Sequence, residues 1–165
     1  MWESVTALYR DRMAADLAVD ILLAQGVKKK DISVLMSDAT RNKKYAIEVN
    51  TKAPEGAAAG GAVGGAIGAM AMGLTAVGTV AATGGMGLVA AGPVVAALAG
   101  GGVGATAGGL VGGLIGFGFE ENEAKFVDKD IENGSILITA DIPNEWEQDV
   151  KNVFENTGAK KVTVH

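Results

Sequence analysis

The chain has no cysteine, one histidine and three prolines. The first absence excludes a disulfide framework, a thiolate nucleophile and thiolate metal ligation, and it agrees with a reducing compartment. The lone histidine, His165, is the last residue, where the reading expects a frayed end rather than a general base, because catalysis needs a held geometry. Basic residues are outnumbered, 14 against 19 acidic, for a formal net charge of −5. That balance argues against nucleic acid as a partner, since phosphate contacts require a surplus of Lys and Arg on one face. The opening "MWESVTALYRDRMAADL" lacks the basic and apolar regions of a secretory signal and reads as folded structure from its first residues.

The most informative absence is local. From Gly56 to Phe119 there is no Asp, Glu, Lys, Arg or His, and 22 of the 25 glycines fall inside that window. The two flanks carry all the charge and follow ordinary rules of soluble structure.

In the first flank, "SVTALYR" (4–10) alternates as a half-buried strand. The next segment places Met13, Leu17, Ala18, Ile21 and Leu22 on one helical face, with Asp11 as N-cap and Gly26 as the left-handed stop. "DISVLMSD" (31–38) is a second strand. In the other flank, "EENEAKFVDKDIENG" is a short charged helix closed by Gly134, and "SILITADI" (135–142) is a third strand. "NEWEQDVKNVFENTG" is an amphipathic helix with Trp146, Val150, Val153 and Phe154 on its apolar face, started at Pro143 or Asn144 and ended by Gly158. "KKVTVH" supplies a fourth strand. The order β-α-β-(insertion)-β-α-β is that of an α+β, ferredoxin-like split β-α-β domain, with the insertion between strands two and three. The chain thus divides into 1–50 and 120–165 as halves of one domain, and 51–119 as the insertion. Strands two and three are antiparallel neighbours in that topology, so the insertion must leave and return at the same end of the sheet.

The uncharged window is written in glycine at a four-residue stride. Gly56, Gly60, Gly64 and Gly68 form one row, and Gly100, Gly104, Gly108, Gly112 and Gly116 form a stricter one. On a helix this stride lines small residues along one face, which lets two backbones approach closely. Gly84, Gly85, Gly87 and Gly92 mark a turn region, and Pro93 suits a first helical position. The pattern predicts helices over about 57–82 and 93–118 folded into a hairpin, with the glycine rows as packing and oligomerisation contacts. Each interior Gly costs a helix roughly 1 kcal/mol relative to Ala, so the glycines of 100–118 require close packing, lipid surroundings or both. Each helix exceeds the ~20 residues that span a bilayer. Insertion in or against a membrane and burial within a soluble cytoplasmic oligomer both satisfy the pattern. If inserted, Lys43, Lys44, Lys52, Lys28–Lys30 and Arg41 on one side, Lys125 and Lys129 on the other, and an uncharged tip leave both flanks in the cytoplasm.

No catalytic apparatus is legible, and no cofactor or metal is expected. Carboxylates in "EENEAKF" and "DKDIE" read as a solvated helix face without the ordered spacing of a calcium loop. Glycine strings of dinucleotide-site type near 102–109 are expected by chance at this glycine content and lack the preceding strand. Trp2, Tyr9, Trp146 and Phe154 are assigned to core or interface packing.

Several of these segments resemble a bacterial family. "TKAPEGAAAGGAVGGAIG", the run from "AAGPVVAALAGGG" to "DIENGSILITA", and the opening "VTALYRDRMAADLAVDILLAQGVKKKDISVLMSD" are similar to general stress proteins of the 17M and heat-induced type with a glycine-zipper insertion. The resemblance implies a non-enzymatic, stress-linked protein and supplies no catalytic residues. The expectation is a homo-oligomer, with membrane lipid as a further contact. The alternatives are a carrier or conduit enclosing an apolar chamber for lipid or quinone-like molecules, and a soluble ligand-sensing module.

Overall fold

The computed structural model describes residues 1–37, 39–40, 80–81, 87–92 and 110–165. Strands β1 (Trp2–Tyr9), β2 (Ile32–Ser37), β5 (Ile136–Pro143) and β6 (Lys161–Val164) come from the flanks, and β3 (Val80–Ala81) and β4 (Gly87–Ala91) from the window. They form one sheet in the order β3-β4-β2-β5-β1-β6, and every neighbouring pair is antiparallel. The protein is therefore α+β. β5 lies between β1 and β2, and β1 lies between β5 and β6. The β1–β5 ladder is the longest, running from Trp2 opposite Pro143 to Tyr9 opposite Ile136.

Helices α1 (Arg12–Ala24) and α3 (Glu147–Asn156) pack on one face of the sheet. Alternation sends Val5, Ala7 and Tyr9 of β1, Val34 and Met36 of β2, and Ile136, Ile138, Ala140 and Ile142 of β5 into this core. Ala15, Ala18, Val19 and Leu22 meet them from α1, and Val150, Val153 and Phe154 from α3. Tyr9 and Phe154 meet edge to face at 6.3 Å between ring centroids. The Tyr9 hydroxyl bonds Thr157 Oγ1 at 2.7 Å, yet burial pushes the phenol up to about 12 because the hydrogen bond only partly offsets desolvation.

Helix ends follow the sequence closely. Asp11 caps α1, its Oδ2 accepting from the Ala14 amide at 3.1 Å. Gly26, Gly134 and Gly158 follow α1, α2 (Glu121–Glu132) and α3, each with positive φ, so all three expected stops are present. The buried face of α1 differs from the expected one. Met13 and Leu17 are 77% and 52% exposed, while Ala15 and Val19 are buried. Only Arg12, Asp16 and Asp20 interrupt an otherwise apolar helix. Composition therefore leaves its rotation open, and the small side chains of Ala15 and Ala18 let it lie close to the sheet. Trp146 belongs to a 3-10 turn (Asn144–Trp146) ahead of α3 rather than to that helix, and is only partly buried against the core.

The window departs from its expected form at two short segments. Val80–Ala81, expected at the end of a helix, is strand β3, and Gly87–Ala91, expected in a turn region, is β4, paired with β2 through Val34–Ala91 and Ser37–Leu88. A short apolar run bounded by glycines fits a strand as well as a turn. Here it satisfies the edge of β2, whose free N–H and C=O groups would otherwise be unpaired. Residues 110–116 are helical, within the expected 93–118. The remainder of both expected helices lies outside the described residues.

Replacing Asp11 by Ala removes the acceptor for the Ala14 amide. We expect a loss of about 1 kcal/mol, read from the midpoint of urea unfolding. An unchanged midpoint would show the cap to be idle.

Candidate functional site

The opposite face of the sheet is where the uncharged window meets the folded flanks. Its residues fall into three cross-strand rows. Leu8, Leu137 and Leu35 form an apolar row across β1, β5 and β2. Leu110 and Leu114 of the helical segment 110–116 pack with this row, together with Phe119 and with Ala124, Val127 and Ile131 of α2. The next row is hydroxylic: Thr163, Thr6, Thr139 and Ser33 stand side by side. Thr6, Thr139 and Ser33 are buried, and Thr6 and Thr139 share a hydrogen bond of 3.1 Å. The third row contains His165, Ser4 and Asp141. Ser4 exchanges two backbone bonds with His165, and its hydroxyl donates to Asp141 Oδ1 at 2.5 Å.

Two glycines set the points where the window joins this face. Gly92, at φ +85°, follows β4 against the start of β2, where an added Cβ would stand 2.3 Å from the Ile32 carbonyl oxygen and 2.7 Å from Ser33 Oγ. Only a residue without a side chain fits there. Gly118, at φ +113°, ends the helical segment and turns the chain toward α2. The Phe119 amide donates back to the Leu114 carbonyl at 3.0 Å, which closes the helix end.

His165 is not a frayed end. Its ring lies 4.1 Å from Phe119 and 6.2 Å from Phe117, centroid to centroid, and Nδ1 lies 3.2 Å from the Gly118 carbonyl oxygen. Burial pushes the imidazole below its usual 6.5, although the Gly118 bond and nearby Glu123 act in the opposite direction. For Glu123, burial favours the neutral acid, but hydrogen bonds from Lys161 and Thr163 at 2.6 and 2.8 Å prevail and hold the carboxyl below its ordinary range. The other end of α2 is tied to the residue just before β6, where Lys160 Nζ donates to the buried Asp130 carboxylate at 2.6 Å. The signal available in the sequence was the alternation of Lys161, Thr163 and His165, which places the histidine on the window-facing side of a strand.

Of the expected packing glycines, Gly112 is half-buried and Gly116 exposed, and an added Cβ at Gly116 would meet nothing within 4 Å. Gly56, Gly60, Gly64, Gly68, Gly100, Gly104 and Gly108 lie outside the described residues. Among the described residues no group of three or more His, Cys, Asp or Glu is placed to hold a metal ion, and no helix is long and apolar enough to cross a membrane. The arrangement fastens an apolar segment to a half-polar sheet face. No family model, curated protein or solved structure matches the chain.

Two outcomes are expected. Gly92→Ala should destabilise the protein by roughly 1–3 kcal/mol, since it combines a positive-φ strain with a backbone clash; an unchanged melting temperature would show that the β2–β4 contact does not contribute. The second concerns pH. The folded protein prefers neutral His165, so this part of the stability is present above the unfolded pKa near 6.5 and is lost as pH falls through the folded value. A melting temperature that declines below about pH 6.5 in the wild type, and declines less in His165→Phe, checks the sign.

Proposed function

We propose that this is a self-associating, non-enzymatic structural protein in which a ferredoxin-like domain presents a glycine-zipper segment to copies of itself, in or against a membrane. The carrying observation is the uncharged window of Gly56–Phe119 with its two four-residue glycine rows. In water a helix with this glycine content is unstable by itself, at roughly 1 kcal/mol per interior glycine, and needs a second surface against its small-residue face. Gly116 supports an external surface as that partner: it lies on a helix, exposed, with open space where its side chain would be. The flank strand order β2-β5-β1-β6 and its all-antiparallel pairing support the ferredoxin-like reading. Resemblance to the glycine-zipper general stress proteins supports a bacterial, stress-linked setting. The basic residues before the window and its uncharged interior support a cytoplasmic position for the folded domain.

The test is membrane fractionation with a carbonate wash, followed by mass measurement in detergent. The reading expects a carbonate-resistant oligomer. A soluble monomer would overturn it. Gly116→Leu refines the test, because the site has room for a side chain within the chain itself. The variant should keep the melting temperature of the domain while assembly weakens by about tenfold or more, the order expected for 1–3 kcal/mol of overpacking at a helix contact. Wild-type assembly in this variant would remove Gly116 from the contact surface.

A further inference from the structure

The chain contains only two tryptophans, and both line one cleft of about 230 Å³ at the end of the sheet where β1 begins and β5 finishes. Trp2 is 65% exposed and stands opposite Pro143 in the β1–β5 ladder. Trp146 closes the other side, its Cη2 3.6 Å from where a Cβ on Gly26 would lie. Lys28 lines the same cleft, and Lys28, Lys29 and Lys30 are consecutive, exposed and without an ion pair among the described residues.

Two of the carboxylates at this end are engaged within the chain. Glu3 Oε1 accepts from Asn144 Nδ2 at 2.8 Å, and Asp141 accepts from Ser4. Asp31, half-buried, and Asp141 line the cleft together with Lys28, and the exposed Lys29 and Lys30 follow Lys28 in the chain. A run of three exposed lysines therefore starts at the wall of the tryptophan cleft in a protein of net charge −5. Gly92, where β4 gives way to the second glycine-rich stretch, packs on Ile32 and Ser33, directly beyond Asp31. The uncharged window therefore departs from the sheet next to this patch.

From this juxtaposition we infer that the Trp2–Trp146 cleft and the Lys28–Lys30 run form a docking surface for an anionic phospholipid bilayer. Indoles settle at the headgroup level, where one edge is apolar and the N–H is wet. Lysine ammonium groups beside them meet the negative surface potential of the lipid. An acidic protein segment would use the lysines but gives no role to the exposed Trp2 indole facing the half-buried Trp146 across one cleft. The inference rests on the membrane association proposed above and assigns its surface contact to the folded domain.

Because no other tryptophan exists in the chain, tryptophan emission excited away from the tyrosine band reports on this cleft alone. The full-length protein is mixed with vesicles of phosphatidylcholine alone or of phosphatidylcholine with phosphatidylglycerol, and flotation is measured beside tryptophan emission and quenching by brominated lipid. The expected result is a blue shift with bromolipid quenching on the anionic vesicles, reduced by salt. The exposed-site variant Lys28→Gln/Lys29→Gln/Lys30→Gln, checked for an unchanged melting temperature, should show roughly a tenfold to hundredfold loss of the anionic-vesicle component, the order expected for three lysines near such a surface. Flotation without any change in emission would overturn this surface while leaving membrane attachment through the window intact. Absence of both flotation and shift would overturn the surface together with the membrane reading. An equal shift on poly-glutamate without lipid would identify an acidic-chain site instead and also overturn it.

Discussion

The structure depends on a sheet that has to be covered on both sides. All six residues of β2 and the run Ile136–Ala140 of β5 are buried, which a sheet with one wet face does not allow. The flanks supply α1 and α3 for one face and only α2 for the other. The rest of the second face takes Leu110, Leu114 and Phe119, contributed by the uncharged window. Burying each such side chain is worth about 1.5–3 kcal/mol. The window is therefore bound into the domain's own core by its end, and its attachment is part of the fold.

The two faces are built from different materials. The face under α1 and α3 is apolar along β1, β2 and β5. The face under the window carries Ser4, Thr6, Ser33, Ser37, Thr139 and Asp141 between its leucines. Such groups must find partners when buried, and the pairs Thr6–Thr139, Ser4–Asp141 and Ser37–Thr40 provide them. Hydroxyl and carboxylate bonds are directional, so Thr6–Thr139 and Ser4–Asp141 reinforce the β1–β5 register beneath the leucine contacts. The glycines at the joints answer the same demand for close fit. Gly92 admits no Cβ against β2, whereas Gly116 leaves space open.

Much of the domain was legible from the chain because its signals are local. Asp11 as N-cap, the stops at Gly26, Gly134 and Gly158, the four flank strands and the buried face of α3 all follow from short-range geometry. The rotation of α1 was not legible: with three polar residues in thirteen, several apolar faces compete, and the choice falls to contacts with β1, β5 and α3. β4 was hidden for a related reason. "GLVAAG" has no periodicity long enough to separate strand from turn, and its pairing with Val34–Ser37 joins positions more than fifty residues apart. His165 looked peripheral by position, but its docking depends on Phe117, Phe119 and Gly118, which the chain order separates from it by more than forty residues.

The sequence by itself determined the element order of the flanks, the absence of charge from Gly56 to Phe119 and the glycine stride within it, because these are properties of neighbouring residues. Only the tertiary structure decided which sheet face receives the end of that window, why Gly92 must be glycine and where the tryptophans meet. Those outcomes arise from residues far apart in the chain. They are selected by the need to cover both sides of one sheet, a condition that no single stretch of sequence expresses.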